Sequence, residues 1–361
     1  MKKVFFLLSS LSVGLLLLIL AIQQAGIKEV FNILFLFPFS VILFVFLINS
    51  VAVCIVGSLR WKIIIDSQNS HKIAFIKVLR AKLAGFAVSY ITPSVLVGGE
   101  PVRAYMIKEE AGYDWERSFA SVIIDQAIFF FAVLLFMIMG FIFLFDHFNL
   151  PVSIFYGFGI IIFFTFIIFY LFYSRLINDN SDGHGFFMFI IKTTRLDKFR
   201  LVKNIEKNIE KMEKIIAMFF KKESGAFVKA FALSVFEILI YSILIWIIIS
   251  YLGETVDFAY SISIFFILTL ANFVPIPGSL GSFEAGLTFI FNLLDFGKSN
   301  GFTFSLIYRF VNVALVSVGF FALVHFELKT ISHSFSVEAP RPVLKLHRFV
   351  KKLFCKKRRK K

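Results

Sequence analysis

The 361 residues are 59% hydrophobic and only 17% charged, with a net charge of +15 and a mean hydropathy of +0.86. A soluble domain is about 25% charged and 45–50% apolar, and 52 phenylalanines are more than one water-surrounded core can hide. The composition excludes an ordinary soluble enzyme or binding module and requires lipid as solvent. Cys54 in an apolar run and Cys355 in a basic tail offer neither a disulfide framework nor a metal spacing.

Six apolar runs are long enough to cross a bilayer core of about 30 Å: residues 4–22, 34–57, 118–144, 151–173, 227–251 and 302–326. The first follows Met1-Lys2-Lys3 like a signal peptide, but it is longer than a leader's apolar region and has no small-x-small cleavage site. It reads as an uncleaved first span. Two further apolar stretches, 83–98 and 258–296, are interrupted by glycine and proline.

Lysine and arginine near span ends set orientation. Segment 58–82 carries Arg60, Lys62, Lys72, Lys77, Arg80 and Lys82 against one acid, Asp66. The linker 174–226 and the tail from Arg341 to Lys361 are also strongly basic, whereas 23–29, 145–150, 252–257 and 295–301 are poor in positive charge. One alternation satisfies this pattern, with both termini cytoplasmic in a multi-pass cell-membrane protein. Within the linker, Leu201, Ile205, Ile209, Met212, Ile216 and Phe219 recur at helical steps opposite lysine and glutamate. This predicts an amphipathic helix over 198–220 lying on the cytoplasmic leaflet. The tail 331–361 is expected to sit near anionic lipid rather than nucleic acid.

The first break, read from Ser89 to Arg103, contains Pro93, Gly98, Gly99 and Glu100; the second, from Asn272 to Glu284, contains Pro275, Pro277, Gly278, Gly281 and Glu284. By the charge pattern the flanks of each break lie on one side of the membrane, so each stretch is expected to be a re-entrant hairpin. Two full spans for 258–296 would satisfy parity equally well. In both breaks a proline precedes a glutamate by seven residues, Pro93 to Glu100 and Pro277 to Glu284. The units 34–144 and 227–326 each read span, hairpin, span with opposite predicted orientation, the pattern of an inverted-topology repeat. The expected fold is therefore an all-α polytopic membrane domain over 1–330 with six spans and two hairpins. Broken helices survive in hydrocarbon only where protein or a wet cavity satisfies the backbone, so the breaks point to a ligand site.

Ionisable residues inside a bilayer are costly and mark function. Glu100, Arg103, Arg117, Asp125, Glu284 and Arg309 are the candidates for contact with a charged head group. Arg117 and Asp125 lie eight residues apart, two turns along one helix face. Glu237 is expected to be a helix–helix hydrogen-bond partner and His325 an interfacial residue. The plain alternatives are cytoplasmic anchoring for Arg103 and Arg117, a packing pair of Asp125 with Arg117 or Lys108, and a buried ion pair of Glu284 with Arg309. The histidines lack ligand spacing, and no P-loop, dinucleotide fingerprint or nucleophile elbow is present; neither metal nor cofactor is expected.

Ile91-Thr92-Pro93-Ser94, Gly98-Gly99-Glu100-Pro101-Val102-Arg103, Arg117, Asp125, and Pro275 through Glu284 with Arg309 together resemble the lysylphosphatidylglycerol synthase membrane-region family. The resemblance covers about residues 10–330 and implies a domain that moves a lipid between leaflets. Full-length synthases continue into a soluble aminoacyl-transferase domain, whereas this sequence continues into a basic tail, so the carrier half is expected and lipid aminoacylation is not. The resemblance implies membrane lipids as partners, with a second copy or a lipid-synthesis enzyme as further candidates. A membrane transferase acting on a lipid carrier, or a scaffold for envelope assembly, are the competing expectations.

Overall fold

A computed structural model of the chain describes residues 2–68, 72–92, 98–147, 152–177, 185–195, 200–253, 256–273 and 276–334. Pro93, Pro275, Cys355 and nearly all of the basic tail lie outside them. The described residues form thirteen helices and no strand. The expected spans are α1 (Lys2–Ala25), α3 (Phe39–Ser67), α6 (Trp115–His147), α7 (Val152–Ile177), α10 (Ser224–Tyr251) and α13 (Lys298–Ser334). Five of these are long and apolar enough to cross a membrane by themselves. The sixth, α1, meets the short α2 (Ile27–Leu36) at a 79° bend around Gly26, whose positive φ of 75° allows the turn.

Between the spans lie the two interrupted stretches. The first is α4 (Phe75–Ile91) followed by α5 (Glu100–Ala111); the second is α11 (Phe258–Phe273), a 3₁₀ turn at Pro277–Ser279, and α12 (Ser282–Leu293). At 1.5 Å per residue, α11 and α12 are about 24 Å and 18 Å long. Neither covers a hydrocarbon core of roughly 30 Å, so these lengths fit a broken hairpin and not two full spans. The linker supplies α8 (Phe186–Thr193) and α9 (Arg200–Lys222).

The long spans α6 and α13 act as common walls for both hairpins, which pack at opposite ends of them. Ala104, Met106 and Ile107 of α5 pack with Val122, near the start of α6, and with Phe326, near the end of α13. The second hairpin takes the other ends: the Ser263 hydroxyl donates to the Gly140 carbonyl of α6 at 3.1 Å, and the ring of Phe291 lies 5.5 Å from that of Phe304 of α13 in a tilted contact. The largest apolar core lies around that second hairpin, where Phe136, Ile245, Phe266, Leu287 and Val311 are all buried. By contrast α7 is exposed along almost its whole length, the signature of a helix that faces lipid, and it is pinned to α6 by phenylalanine pairs such as Phe131–Phe169.

One sequence expectation changes at α3. The apolar run ends near residue 57, but the helix continues to Ser67 through a π-helical turn at Val51–Val56. Arg60 and Trp61 beyond that turn are buried. Arg60 and Lys82 therefore do not act as interfacial charges; they enter the protein.

Candidate functional site

Helix periodicity delivers charges from five elements to one buried point. Asp125 sits about 15 Å into α6 and is fully buried. Its Oδ1 accepts from Arg60 Nε of α3 at 2.7 Å. Its Oδ2 accepts from Lys82 Nζ of α4 at 3.0 Å and from Arg103 of α5. Arg60 also pairs with Glu237 of α10, whose other oxygen lies 3.4 Å from the Tyr241 hydroxyl. The guanidinium of Arg60 lies 4.7 Å from the Phe129 ring centre, and that of Arg103 4.1 Å from Trp61. Three cations thus share two carboxylates, and flanking rings supply cation–π stabilisation.

The third carboxylate, Glu100, opens α5 one turn before Arg103. Gln126 of α6 donates to its Oε1 at 2.7 Å. Among the described residues, its Oε2, like Arg103 Nε, is buried without a hydrogen-bond partner. Such unsatisfied charged atoms are rare and mark strain or a ligand position. Gly99 is needed here because a Cβ on it would fall 1.9 Å from the Gly85 carbonyl oxygen of α4.

A second cluster forms where the hairpin tips meet. Arg309 of α13 donates through Nε to Glu284 Oε1 at 2.6 Å, and its Nη2 pairs with the same oxygen. The other oxygen of Glu284 accepts the Gly281 N–H at 2.7 Å and so caps α12. Arg309 Nη1 donates to the Gly278 carbonyl at 2.9 Å and lies 3.4 Å from the Tyr90 hydroxyl at the end of α4. One guanidinium therefore holds the turn of the second hairpin and touches the tip of the first. Beside it is a cavity of about 130 Å³ bordered by Phe86, Tyr90, Asn272, Tyr308, Arg309 and Asn312. Lys82 and Tyr90 share α4, eight residues apart and so about 12 Å along its axis, which links the two clusters through one short helix.

The structure thus brings Glu100, Arg103 and Asp125 together, and separately Glu284 with Arg309. Pro277, Gly278 and Gly281 form the second turn. Gly98 packs so closely on Thr92 that a Cβ would overlap its hydroxyl. Arg117 joins neither cluster: it is exposed at the start of α6, because two turns along the helix carry it out of the bundle. Glu237 is a helix–helix partner as expected, and His325 is exposed. Arg60, Lys82, Tyr90 and Gln126 were not among the sequence candidates. For Lys82 a signal existed, since it is the one charged residue in the apolar stretch Ala81 to Val88. Among the described residues no three His, Cys, Asp or Glu side chains converge as a metal site.

The chain matches the family described as the lysylphosphatidylglycerol synthase TM region over residues 7–319, nearly the whole helical domain. It belongs to that family. Within the synthase TM-region family, similar proteins include a UPF0104 membrane protein of Methanothermobacter thermautotrophicus, 24% identical over 273 residues, which cover 72% of this chain and 78% of the relative. A UPF0104 membrane protein of Pyrococcus horikoshii is 25% identical over 132 residues, 36% of this chain and 39% of its own length. No solved structure matches the chain. The family match spans both broken hairpins and both charged clusters, so these features lie within the TM region itself.

Proposed function

We propose that this membrane domain is a non-catalytic lipid translocator, which passes a phospholipid or lipid-linked head group between leaflets while the acyl chains remain in lipid. The observation that carries this reading is the meeting of two broken hairpins, packed at opposite ends of α6 and α13, at Tyr90, Gly278 and Arg309. A polar point reached by one hairpin from each side suits alternating access. The spacing supports reading the two halves as an inverted repeat: Glu100 precedes Asp125 by 25 residues, and Glu284 precedes Arg309 by the same number.

The chemistry follows from what Arg309 already holds. Its bonds to the Gly278 and Ser279 carbonyls are ones that phosphate oxygens replace well, because charge-assisted Arg–phosphate pairs are stronger than bonds to neutral carbonyls. Glu284 keeps the guanidinium oriented and offsets its charge when no lipid is bound. The cavity of about 130 Å³ holds only a few waters at roughly 30 Å³ each, so a head group enters only when the hairpins part. Arg103 and Glu100 would receive or release it at the other cluster. Movement is downhill or coupled to protons through a buried carboxylate. The basic linker and tail favour cytoplasmic termini in the cell membrane, with membrane lipid as the immediate partner and a second copy or a lipid-synthesis enzyme as candidate associates.

Reconstitution tests this directly. Purified protein in liposomes should speed the exposure of a fluorescent phospholipid to an impermeant quencher, and Glu284→Gln or Arg309→Ala should remove that gain. Equal rates in protein-free, wild-type and variant liposomes would reject the reading, and a new covalent lipid product would indicate a transferase instead.

A further inference from the structure

Arg117 stands apart from both buried clusters, yet its surroundings are organised. Helix α9 lays Met212, Ile216 and Phe219 against Ala120, Ile124 and Ile128 of α6, while α8 closes over one side. Glu213 of α9 fastens α8 by accepting the N–H groups of Phe187 and Met188. Two cavities remain between these helices and the start of α6. One is an apolar slot of about 380 Å³ lined by Phe119, Ile123, Phe187, Ile190 and Ile209. The other, also about 380 Å³, is a cleft lined by Arg117, Lys211 and Lys214 together with Asp114 and Glu116. Both volumes lie within the range of roughly 300–1,000 Å³ usual for small-molecule sites. Glu116 lies in the wall of both cavities; its Oε1 is 3.8 Å from Lys211 Nζ, leaving the cleft with an excess of positive charge.

An apolar slot that shares a wall with a cationic cleft is matched by one kind of molecule, an anionic amphiphile. The position agrees: Trp115, partly exposed beside Phe119, is the residue type that settles at a membrane–water interface, and α9 is a basic amphipathic helix of the kind that lies there. We propose that the slot and the cleft form one site for an anionic phospholipid, with an acyl chain in the slot and the phosphate among Arg117, Lys211 and Lys214. This site is separate from the Arg309 cluster and does not depend on the transport reading. Because α9 belongs to the linker between the two span–hairpin–span units, an occupant here binds the linker to α6.

Native mass spectrometry of the purified full chain in detergent tests this with phosphatidylglycerol and phosphatidylcholine of identical acyl chains. The expected result is one phosphatidylglycerol retained in preference to phosphatidylcholine. Retention should fall at least about tenfold in the triple variant R117Q/K211Q/K214Q, given the attraction that each basic side chain contributes at a membrane surface. All three side chains are exposed, so these changes leave the packing intact. Ile190→Trp, made at the partly exposed rim of the slot, should also displace the lipid. Equal retention of the two lipids, or unchanged phosphatidylglycerol retention in the triple variant, would overturn the proposal. Loss in the triple variant with full retention in Ile190→Trp would also overturn it, by reducing the site to a charged surface without a tail slot.

Discussion

Arg309 Nη1 lies 3.4 Å from the Tyr90 hydroxyl while it donates to the Gly278 carbonyl at 2.9 Å, so a single guanidinium joins two hairpins whose contacting residues, Tyr90 and Gly278, are 188 residues apart in the chain. The contact is long enough to be weak. Its geometry suits a latch that must open.

Tyr90→Phe removes only that latch. A hydrogen bond to a charged partner contributes about 1.5–3 kcal/mol at good geometry, and at this length the lower end applies. A cysteine placed at Ser279 should then react about tenfold faster with a small soluble thiol reagent than in a Tyr90 background. An unchanged rate would show that Tyr90 does not hold the tips together.

Asp125→Asn leaves Arg60, Lys82 and Arg103 facing one another with Glu237 as the remaining charged partner of Arg60. Removing one member of a buried ion pair typically costs about 3–5 kcal/mol. Thermal unfolding in detergent should show a large fall in midpoint. Glu237→Gln, which strips only one of the two carboxylates from Arg60, should cost less. Reversal of that order would show that the network is centred elsewhere.

Gly281 has a positive φ of 83°, and a Cβ there would fall 1.9 Å from the Gly14 carbonyl oxygen of α1. Gly281→Ala therefore meets both backbone strain and a clash. It should destabilise the packing of α1 on α12 by at least about 2 kcal/mol, read as loss of folded protein on extraction. Gly225→Ala, where a Cβ would meet nothing within 4 Å, is the matched control and should behave as wild type.

The opposed packing of the hairpins predicts opposite labelling. Single cysteines at Gly112, after α5, and at Gly297, after α12, should be reached by an impermeant thiol reagent from opposite sides of sealed membranes. On the charge pattern Gly112 is the cytoplasmic one. Labelling of both from one side would contradict the arrangement of the two halves.

Much of this architecture was legible in the sequence because lipid imposes simple rules. A span needs length and apolarity, and α6 or α10 could be nothing else; a break needs proline and glycine, and both breaks contain them. Glu284 and Arg309 stood out because their neighbours are apolar. Arg60 was hidden for the opposite reason: a basic residue just past an apolar run looks like an interfacial anchor. Only the arrival of Asp125 and Glu237, 65 and 177 residues further along, turns it into the centre of a buried network. Arg117 shows the converse. It shares a helix face with Asp125, but the rise of about 12 Å over two turns separates a buried network from an exposed cleft, and periodicity carries no information about where the protein ends.

If lipid passes only when the hairpin tips separate, a reversible lock between them will stop it. Tyr90→Cys with Gly278→Cys, in a chain whose native Cys54 and Cys355 are replaced by serine, places two thiols where a Cβ on Gly278 would lie 3.4 Å from the Tyr90 carbonyl oxygen. In liposomes, oxidation should stop the exposure of labelled phospholipid, and reduction should restore it. If the oxidised, cross-linked protein moves lipid as fast as the reduced one, the hairpins do not gate the path.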